Sequence, residues 1–163
     1  MVIGVVSDTH NNLKNIEKII HLFNEEKVPL VVHTGDIASA QSLEKFSQLH
    51  CNLIGVYGNN DRNEFGLAEI AKKNQFEIDE PPKIIEVHNR TIALFHEPEC
   101  VDNFLIENKD IDVVLHGHTH RYRNEVQNNI LIFNPGESAG MQRGKNAIGL
   151  VDLEKLVAKR IFF

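Results

Sequence analysis

The sequence predicts an α/β fold in which two mixed β-sheets pack face to face as a sandwich, with helices on the outer sides. In the N-terminal third, short apolar segments alternate with segments whose apolar residues recur at helical spacing, a pattern typical of parallel strands joined by helices. In the C-terminal third, several short segments with strand character follow one another across turn residues. This number of strands indicates two sheets, and the length of 163 residues fits one domain over residues 1–163.

The N-terminal third is expected to contain three parallel strands and two crossover helices. The strands are predicted over residues 2–6, 30–32 and 52–56, each a short apolar run that ends in polar residues. Asn11 or Asn12 can cap the first helix. The apolar residues of the two helices recur at positions 13, 16, 19, 20 and 23, and at positions 43, 46 and 49.

The rest of the chain is expected to be richer in strands. Its predicted elements are a helix (65–73), a hairpin (83–87 and 91–95), a second helix (101–107) and five strands (111–115, 121–126, 130–133, 147–153 and 156–162). Pro81 and Pro82 are interpreted as a plain turn. The apolar residues 161–163 are expected to complete a core strand, with a contact between subunits as the alternative, so a monomer and a homo-oligomer both remain open.

The composition narrows the classes of partner. A formal net charge of -6 argues against a general nucleic-acid surface, because counterion release needs clustered lysine and arginine, but it leaves a nucleotide possible as a substrate. No apolar stretch is long enough to span a membrane, and the N-terminal segment lacks the basic region of a signal peptide. Cys51 and Cys100 match no motif spacing and are interpreted as reduced thiols, which predicts a cytoplasmic protein.

Histidines cluster directly after the strand predicted over residues 111–115, in the run His116-Gly117-His118-Thr119-His120. His118 and His120 are two residues apart, so in extended backbone their side chains point the same way. A lone histidine here would be read as a core residue. Two with matching direction, in a chain with acidic residues at other strand ends, favour metal binding.

Polar residues of ligand type also follow the other predicted strands. Because the carboxyl ends of parallel strands meet at one edge of a sheet, we expect these side chains to converge. The candidate ligands are Asp8, His10, Asp36, Asn59, His96, His118 and His120. Carboxylate, imidazole and amide groups suit manganese, iron, nickel or zinc, with manganese as our first choice. The alternative is that Asp8 and Asp36 cap helices and the histidines are structural.

Seven candidate ligands exceed the needs of one ion and indicate two ions that share a carboxylate. Two ions ~3.5–4 Å apart act as a clamp for in-line displacement at phosphorus and activate a bridging hydroxide as the nucleophile. Two dications, two carboxylates and one hydroxide leave a site charge of about plus one, which suits a phosphate ester. The expected partner is therefore a small phosphate ester or a nucleotide.

Five sequence blocks, taken in order, resemble the calcineurin-like metallophosphoesterases. They are Asp8-Thr9-His10, Gly35-Asp36, Gly58-Asn59-Asn60-Asp61, His96 and Gly117-His118-Thr119-His120. Asn134-Pro135-Gly136 further resembles a turn of the small YfcE-like phosphodiesterase branch. The resemblance implies the metallophosphoesterase sandwich and a dinuclear site in which Asp36 bridges the ions and Asp36, Asn59 and His96 are catalytic. It also implies one ion held by Asp8, His10 and His120, and another held by Asn59, His96 and His118.

Three residues depart from the family pattern. Asn60 stands where many members carry a histidine thought to protonate the leaving group, and an asparagine cannot act as a general acid. Glu97 stands where a glycine is usual, and Glu137 separates Gly136 from Ser138. We interpret both glutamates as solvated loop charges. The alternative is that a carboxylate near the second ion narrows the substrate pocket.

Further polar residues flank the candidate ligands. His33 and His116 are expected either to support ligands and proton transfer or to be structural. Asn60, Asp61 and Arg62 are weaker candidates, either for contact with substrate or for support of the ligands, and the other arginines considered are Arg121 and Arg143. The function that we predict is a metal-dependent phosphodiesterase. The alternatives are a phosphomonoesterase on the same site and a non-catalytic metal-binding scaffold.

Overall fold

A computed structural model of the chain describes residues 1–163 and contains eleven strands and four α-helices. Their order is β1 (Val2–Val6), α1 (Leu13–Glu26), β2 (Leu30–His33), α2 (Ala40–Lys45), β3 (Asn52–Val56), α3 (Leu67–Asn74), β4 (Glu77–Asp79), β5 (Lys83–Val87), β6 (Arg90–Leu94), α4 (Val101–Glu107), β7 (Val113–Leu115), β8 (Arg123–Gln127), β9 (Ile130–Asn134), β10 (Ala147–Asp152) and β11 (Val157–Phe162).

The first sheet has six strands in the order β11-β10-β1-β2-β3-β4. Strands β1 to β4 run parallel, and β10 pairs antiparallel with β1. In the register of this sheet, Val6 at the end of β1 lies opposite His33 at the end of β2, which in turn lies opposite Gly55 near the end of β3. The loops that follow these three strands therefore leave the sheet at the same edge.

The second sheet has five strands in the order β5-β6-β7-β9-β8. Its three central strands run parallel, and Leu94, Leu115 and Phe133 lie side by side at their carboxyl ends. His96 lies two residues after the first of these strands and His116 follows the second directly, so the polar ends of this sheet also gather at one edge.

An apolar layer joins the two sheets. Val5 and Val32 of the first sheet and Leu115 and Phe133 of the second belong to one buried cluster. Helices α1, α2 and α3 cover the outer face of the first sheet through residues such as Phe23, and α4 covers the second sheet through Val101. The predicted α/β sandwich of two mixed sheets is confirmed.

Several element boundaries differ from the prediction. The edge strand β4 was not expected, because only Ile78 of its three residues is buried and a single apolar residue gives no strand pattern. Helix α3 begins at Leu67, and Phe65 is 95% exposed. In the C-terminal segment, Ile161 and Phe163 pack partly against the core beneath α1, as expected for a core strand. No helix of the chain has the length and apolar character needed to cross a lipid bilayer.

Candidate metal centre

The loops after β1, β2, β3, β6 and β7 meet at one edge of the sandwich and bring all seven candidate ligands together. The candidate donor atoms of Asp8, His10 and His120 all lie within 4.8 Å of one another. Those of Asp8, Asp36 and His96 do the same. The interpretation of Asp8 and Asp36 as helix caps is wrong, since the side chains of Asn12 and Ser39 cap α1 and α2.

The first half of the site is built around two imidazoles. His120 Nε2 lies 3.5 Å from Asp8 Oδ1, and His10 Nε2 lies 3.7 Å from Asp36 Oδ2. His10 Nε2 is buried and has no hydrogen-bond partner. A buried ring nitrogen without a partner is costly unless a cation binds its lone pair, so this half of the site fits a metal ion.

The second half brings four potential donor atoms for a metal ion close together, from His96, Asn59, Asp36 and His118. His96 Nδ1 donates a hydrogen bond to the carbonyl of Thr34 at 2.8 Å, which leaves the lone pair of a neutral ring on Nε2. That Nε2 lies 3.0 Å from Asn59 Oδ1 and 3.4 Å from Asp36 Oδ1. Asn59 Oδ1 also lies 3.1 Å from His118 Nδ1. Converging lone pairs repel one another in the absence of a cation, so this donor set also fits a divalent ion.

Asp36 lies between the two halves, with one oxygen toward His10 and the other toward His96. Asn60 holds this carboxylate in place through its backbone N–H on Oδ1 at 3.0 Å and its side-chain Nδ2 on Oδ2 at 2.7 Å. Burial alone would raise the pKa of Asp36, but the adjacent His96 and the two hydrogen bonds from Asn60 hold that pKa below its usual range. Asp36 is therefore ionised and fixed at the centre of the site.

Asp8 is completely buried at the end of β1. It accepts a hydrogen bond from the Ser7 hydroxyl, and the backbone N–H of His118 donates to its two oxygens at 3.2 and 3.1 Å. Burial raises the pKa of Asp8 above its usual value, against the opposing effect of the Ser7 hydrogen bond. A cation beside Asp8 would remove this cost of burying its charge.

The backbone of the site is strained. Five of the seven candidate ligands have a positive φ, a region that residues other than glycine rarely adopt: Asp8 (52°), His10 (45°), Asp36 (58°), His118 (67°) and His120 (55°). Such conformations persist only where surrounding contacts impose them. Here the backbone N–H of Asp8 donates to the carbonyl of Gly35 at 3.0 Å, and that of His10 donates to the carbonyl of Asp36 at 2.9 Å.

Two glycines are required by close approach of the loops. A Cβ at Gly58 would lie 2.2 Å from Asp36 Oδ1, and a Cβ at Gly117 would lie 1.9 Å from Ser7 Oγ. Any side chain at position 117 would displace Ser7 and Asp8 from the site, so the close approach of these loops requires glycine there.

Asp61, a weak candidate for substrate contact, joins two loops of the site. It is 3% exposed, and its carboxylate accepts the backbone N–H of Ala38 on one oxygen and that of Gly58 on the other, both at 2.7 Å. These bonds tie the loop after Asp36 to the loop that carries Asn59. Asp61 is therefore a buried residue that supports the loops of the site, as the second of its two predicted roles.

His33 and His116 are buried behind the ligands. His33 Nδ1 accepts the backbone N–H of Gly35 at 3.2 Å, and its Nε2 donates to the hydroxyl of Thr9 at 3.0 Å. Burial lowers the pKa of His33 to about 3 and that of His116 to about 4. His116 Nδ1 donates to the carbonyl of Gly117 at 3.1 Å. Both rings are thus neutral and hold the loops that carry the ligands.

The arginines considered from sequence differ in their surroundings. Arg62 lies 3.4 Å from Glu97 and 3.8 Å from Glu80, so its charge is already paired. The ion pair also neutralises Glu97, whose side chain remains partly exposed. Arg143 is exposed, whereas Arg121 lies beside His120 in the wall of a surface cavity.

Glu137 is the residue whose surroundings the sequence did not reveal. Its interpretation as a solvated loop charge is wrong, because it is only 1% exposed. Its carboxylate accepts the backbone N–H of Met141 at 3.1 Å and that of Gln142 at 2.6 Å, and Oε2 lies 3.7 Å from His120 Nδ1. The one available signal was an acidic residue between the small residues Gly136 and Ser138, directly after a tight turn.

Comparison with known proteins agrees with this geometry. The profile of the calcineurin-like phosphoesterase superfamily domain matches residues 1–156. Phosphodiesterase MJ0936 of Methanocaldococcus jannaschii is 38% identical over 157 residues, which are 95% of this chain and 95% of the relative. Phosphodiesterase YfcE of Escherichia coli is 26% identical over 172 residues, covering 96% of this chain and 90% of the relative.

The fold comparison gives the same result. The solved structure of an archaeal phosphodiesterase superposes with a TM-score of 0.90 at 36% identity, and the match covers 100% of both chains. The resemblance noted from the five sequence blocks is confirmed. Because the family profile and the relatives match nearly the whole chain and the fold is the same, the chain belongs to the calcineurin-like phosphoesterase superfamily.

Proposed function

We propose that this chain is a phosphodiesterase that uses two divalent metal ions. The observation that carries the proposal is the presence of two groups of metal-binding side chains in one site, Asp8 with His10 and His120, and Asp8 with Asp36 and His96. Two such groups at one edge of the sandwich support two adjacent ions rather than one. The relatives named phosphodiesterase, at up to 38% identity over nearly the full chain, support the same reaction.

We assign the ligands to two ions on the basis of the family pattern together with the distances between the side chains. Asp8, His10 and His120 hold one ion, Asn59, His96 and His118 hold the other, and Asp36 contributes to both. The position of Asp36 supports the bridging role, because its two oxygens face one histidine from each set. Manganese remains our first choice of metal, with iron, nickel or zinc as alternatives, since this mixed nitrogen and oxygen set accepts each of them.

When bound, two such ions supply an activated water and neutralise the charge that develops on the phosphoryl oxygens. The chain's own residues orient these groups. Asn60 fixes both oxygens of Asp36, and Thr34 fixes the tautomer of His96. No serine or cysteine is needed as a nucleophile. Asn60 cannot serve as a general acid for the leaving group. The amide of Asn60 donates to Asp36 and carries no acidic proton.

The substrate that we propose is a small phosphodiester or a nucleotide derivative. The relatives that are named phosphodiesterases support a diester rather than a monoester as the substrate. The net charge of -6 agrees with a small ligand rather than a nucleic-acid polymer. A cytoplasmic location and the oligomeric state stay predictions from the sequence.

The proposal is tested by metal content and by paired substrates. We expect about two ions per chain after reconstitution with manganese, and metal-dependent hydrolysis of bis-p-nitrophenyl phosphate that exceeds hydrolysis of p-nitrophenyl phosphate. Asp36→Asn should lose the activity, whereas Asp110→Asn, at an exposed position, should keep it.

Three outcomes separate the alternatives. Faster turnover of the monoester would favour a phosphomonoesterase on the same site. Two bound ions with no turnover of either substrate would favour a metal-binding scaffold. Failure to bind any metal after reconstitution would contradict the assignment of the site itself.

A further inference from the structure

A cavity of about 240 Å³ lies against the candidate metal centre. One wall is His120, whose Nε2 faces Asp8 in the centre. The other walls come from the loop after β7, the loop between β9 and β10, and β11. The cavity shares the His120 side chain with the metal centre and therefore lies next to it.

The cavity is lined by three cationic side chains, Arg121, Lys145 and Arg160. None of them forms an ion pair within the chain. The acidic residue in the lining is Glu137, whose carboxylate is fully buried and already bonded to backbone N–H groups. The cavity is therefore locally positive in a chain of net charge -6, which favours an anionic ligand.

Arg160 has the most ordered surroundings of the three. Its guanidinium carbon lies 3.7 Å from the centre of the Tyr122 ring and 4.6 Å from the centre of the Phe162 ring. These contacts fix the plane of the guanidinium but use none of its N–H groups, and no side-chain hydrogen bond within the chain involves Arg160. A guanidinium held by aromatic faces with its donors free is arranged for bidentate binding of a phosphate.

We propose that this cavity is a subsite for a second phosphate group of the substrate and that Arg160 recognises it. The preferred substrate is then a phosphodiester whose ester arm carries a further phosphate. This inference rests on the proposed function, because the diester itself is held at the metal centre. Arg121 and Lys145 add positive charge at the rim, and Arg160 supplies the geometric selection.

The experiment compares two chromogenic substrates that differ in one phosphate. They are thymidine 5′-(p-nitrophenyl phosphate) and the same compound carrying a 3′-phosphate, both assayed with the manganese-loaded full chain. We expect kcat/KM to be about tenfold higher or more for the 3′-phosphorylated compound. This ratio corresponds to one charge-assisted hydrogen bond, which the other compound cannot make.

The variants assign this preference to one side chain. Arg160→Gln should reduce the preference below about threefold, because the charge that binds the second phosphate is removed. Lys159→Gln is the matched control, because Lys159 is the neighbouring residue of β11, is exposed, and does not line the cavity. If Arg160→Gln fails to fold, Lys145→Gln replaces it, with an intermediate loss of preference expected.

The result separates this inference from the proposed function. Equal kcat/KM values for the two compounds, or a preference that Arg160→Gln and Lys145→Gln leave intact, would overturn the subsite but not the phosphodiesterase. Absence of turnover of both compounds would contradict the phosphodiesterase. Calorimetry then decides the subsite: thymidine 3′,5′-bisphosphate should bind about tenfold tighter than thymidine 5′-phosphate, and Arg160→Gln should abolish the difference.

Discussion

Glu137 Oε2 lies 3.7 Å from His120 Nδ1, on the side of the ring opposite to the Nε2 that faces Asp8 at 3.5 Å. A buried carboxylate in this position favours the proton on Nδ1 and leaves the lone pair of Nε2 for a metal ion. The same carboxylate accepts two backbone N–H groups of the loop between β9 and β10. One residue thus couples the orientation of a candidate ligand to the conformation of a loop.

Glu137→Gln is expected to weaken metal binding about tenfold or more, because its amide no longer fixes the tautomer of His120 as a carboxylate does. Competition with a chromophoric chelator measures the affinity. Glu97→Gln serves as the control, since Glu97 also lies one loop from a candidate ligand but is partly exposed and paired with Arg62. Equal affinities in the two variants would contradict this role for Glu137.

Asp61→Asn is expected to destabilise the protein by about 2 kcal/mol, because one carboxylate oxygen becomes an NH₂ group that faces a backbone N–H. The loss should also lower kcat, since Asp61 holds the loops that carry Asp36 and Asn59. Urea unfolding of the metal-free protein measures the free energy. Asp110→Asn, at an exposed site, should change it by less than about 0.5 kcal/mol, and a similar small change for Asp61→Asn would refute the loop-joining role.

The positive φ of His118 predicts an unusual order of stabilities. His118→Gly is expected to be about 1 kcal/mol more stable than His118→Ala, because glycine adopts φ 67° without steric cost. At Thr119, which does not share this conformation, the alanine variant should be the more stable of the pair. Thermal unfolding of the four metal-free variants tests this. The same order at both positions would show that the left-handed backbone does not persist in solution.

Burial of neutral His33 predicts a loss of stability in acid. Its pKa falls from 6.5 in the unfolded chain to about 3 in the folded protein, so below pH 6.5 the unfolded state binds more protons. The contribution to the free energy of unfolding is complete above pH 6.5 and is lost progressively down to pH 3, by about 2 kcal/mol at pH 5.

Denaturant unfolding of the metal-free protein at pH 5 and pH 7 measures this effect. His33→Gln should reduce the stability difference between the two pH values by about 2 kcal/mol, whereas His50→Gln, at an exposed position, should leave it unchanged. Other buried histidines, such as His116, contribute equally to all three proteins and cancel in the comparison. An unaltered pH dependence in His33→Gln would mean that this ring is protonated or accessible in the folded state.

The bonding of Asn60 predicts a strong dependence on the leaving group. Its amide donates to Asp36 at 2.7 Å and has no acidic proton to give. We therefore expect the phenyl ester of thymidine 5′-phosphate to react at least about 100-fold more slowly than the p-nitrophenyl ester, because a general acid typically contributes that much or more. Initial rates with the manganese-loaded protein provide the measurement. Similar rates would identify another proton donor in the site.

The seven candidate ligands were visible from the sequence because each lies within five residues of a predicted strand end. Strand ends are marked by local hydrophobic pattern, and parallel strands end at a common edge. The convergence of Asp8 with Asp36, which follow the neighbouring parallel strands β1 and β2, therefore followed from topology alone. The structure adds the distances between the side chains, which no local pattern contains.

Other features depend on contacts between distant parts of the chain. Glu137 looked like a loop charge because its partners, including His120, are brought to it only by folding. Strand β4 is held by pairing with β3, not by its own three residues. The left-handed conformations of Asp8 and Asp36 are likewise imposed by hydrogen bonds between loops. Sequence patterns of short range predict where the site lies and not how its side chains are oriented.

The position of β1 in its sheet also bears on the order of chain synthesis, folding and metal binding. Val5 of β1 pairs with Val32 on one side and with Gly149 on the other. During synthesis, Asp8 and His10 leave the ribosome long before His120 and before the strand that completes their sheet. The nascent chain thus has no assembled pocket for an ion, and metal loading follows folding instead of nucleating it. For the proposed metal centre, the ions available to the folded protein, and not those met during translation, would then decide which metal is bound.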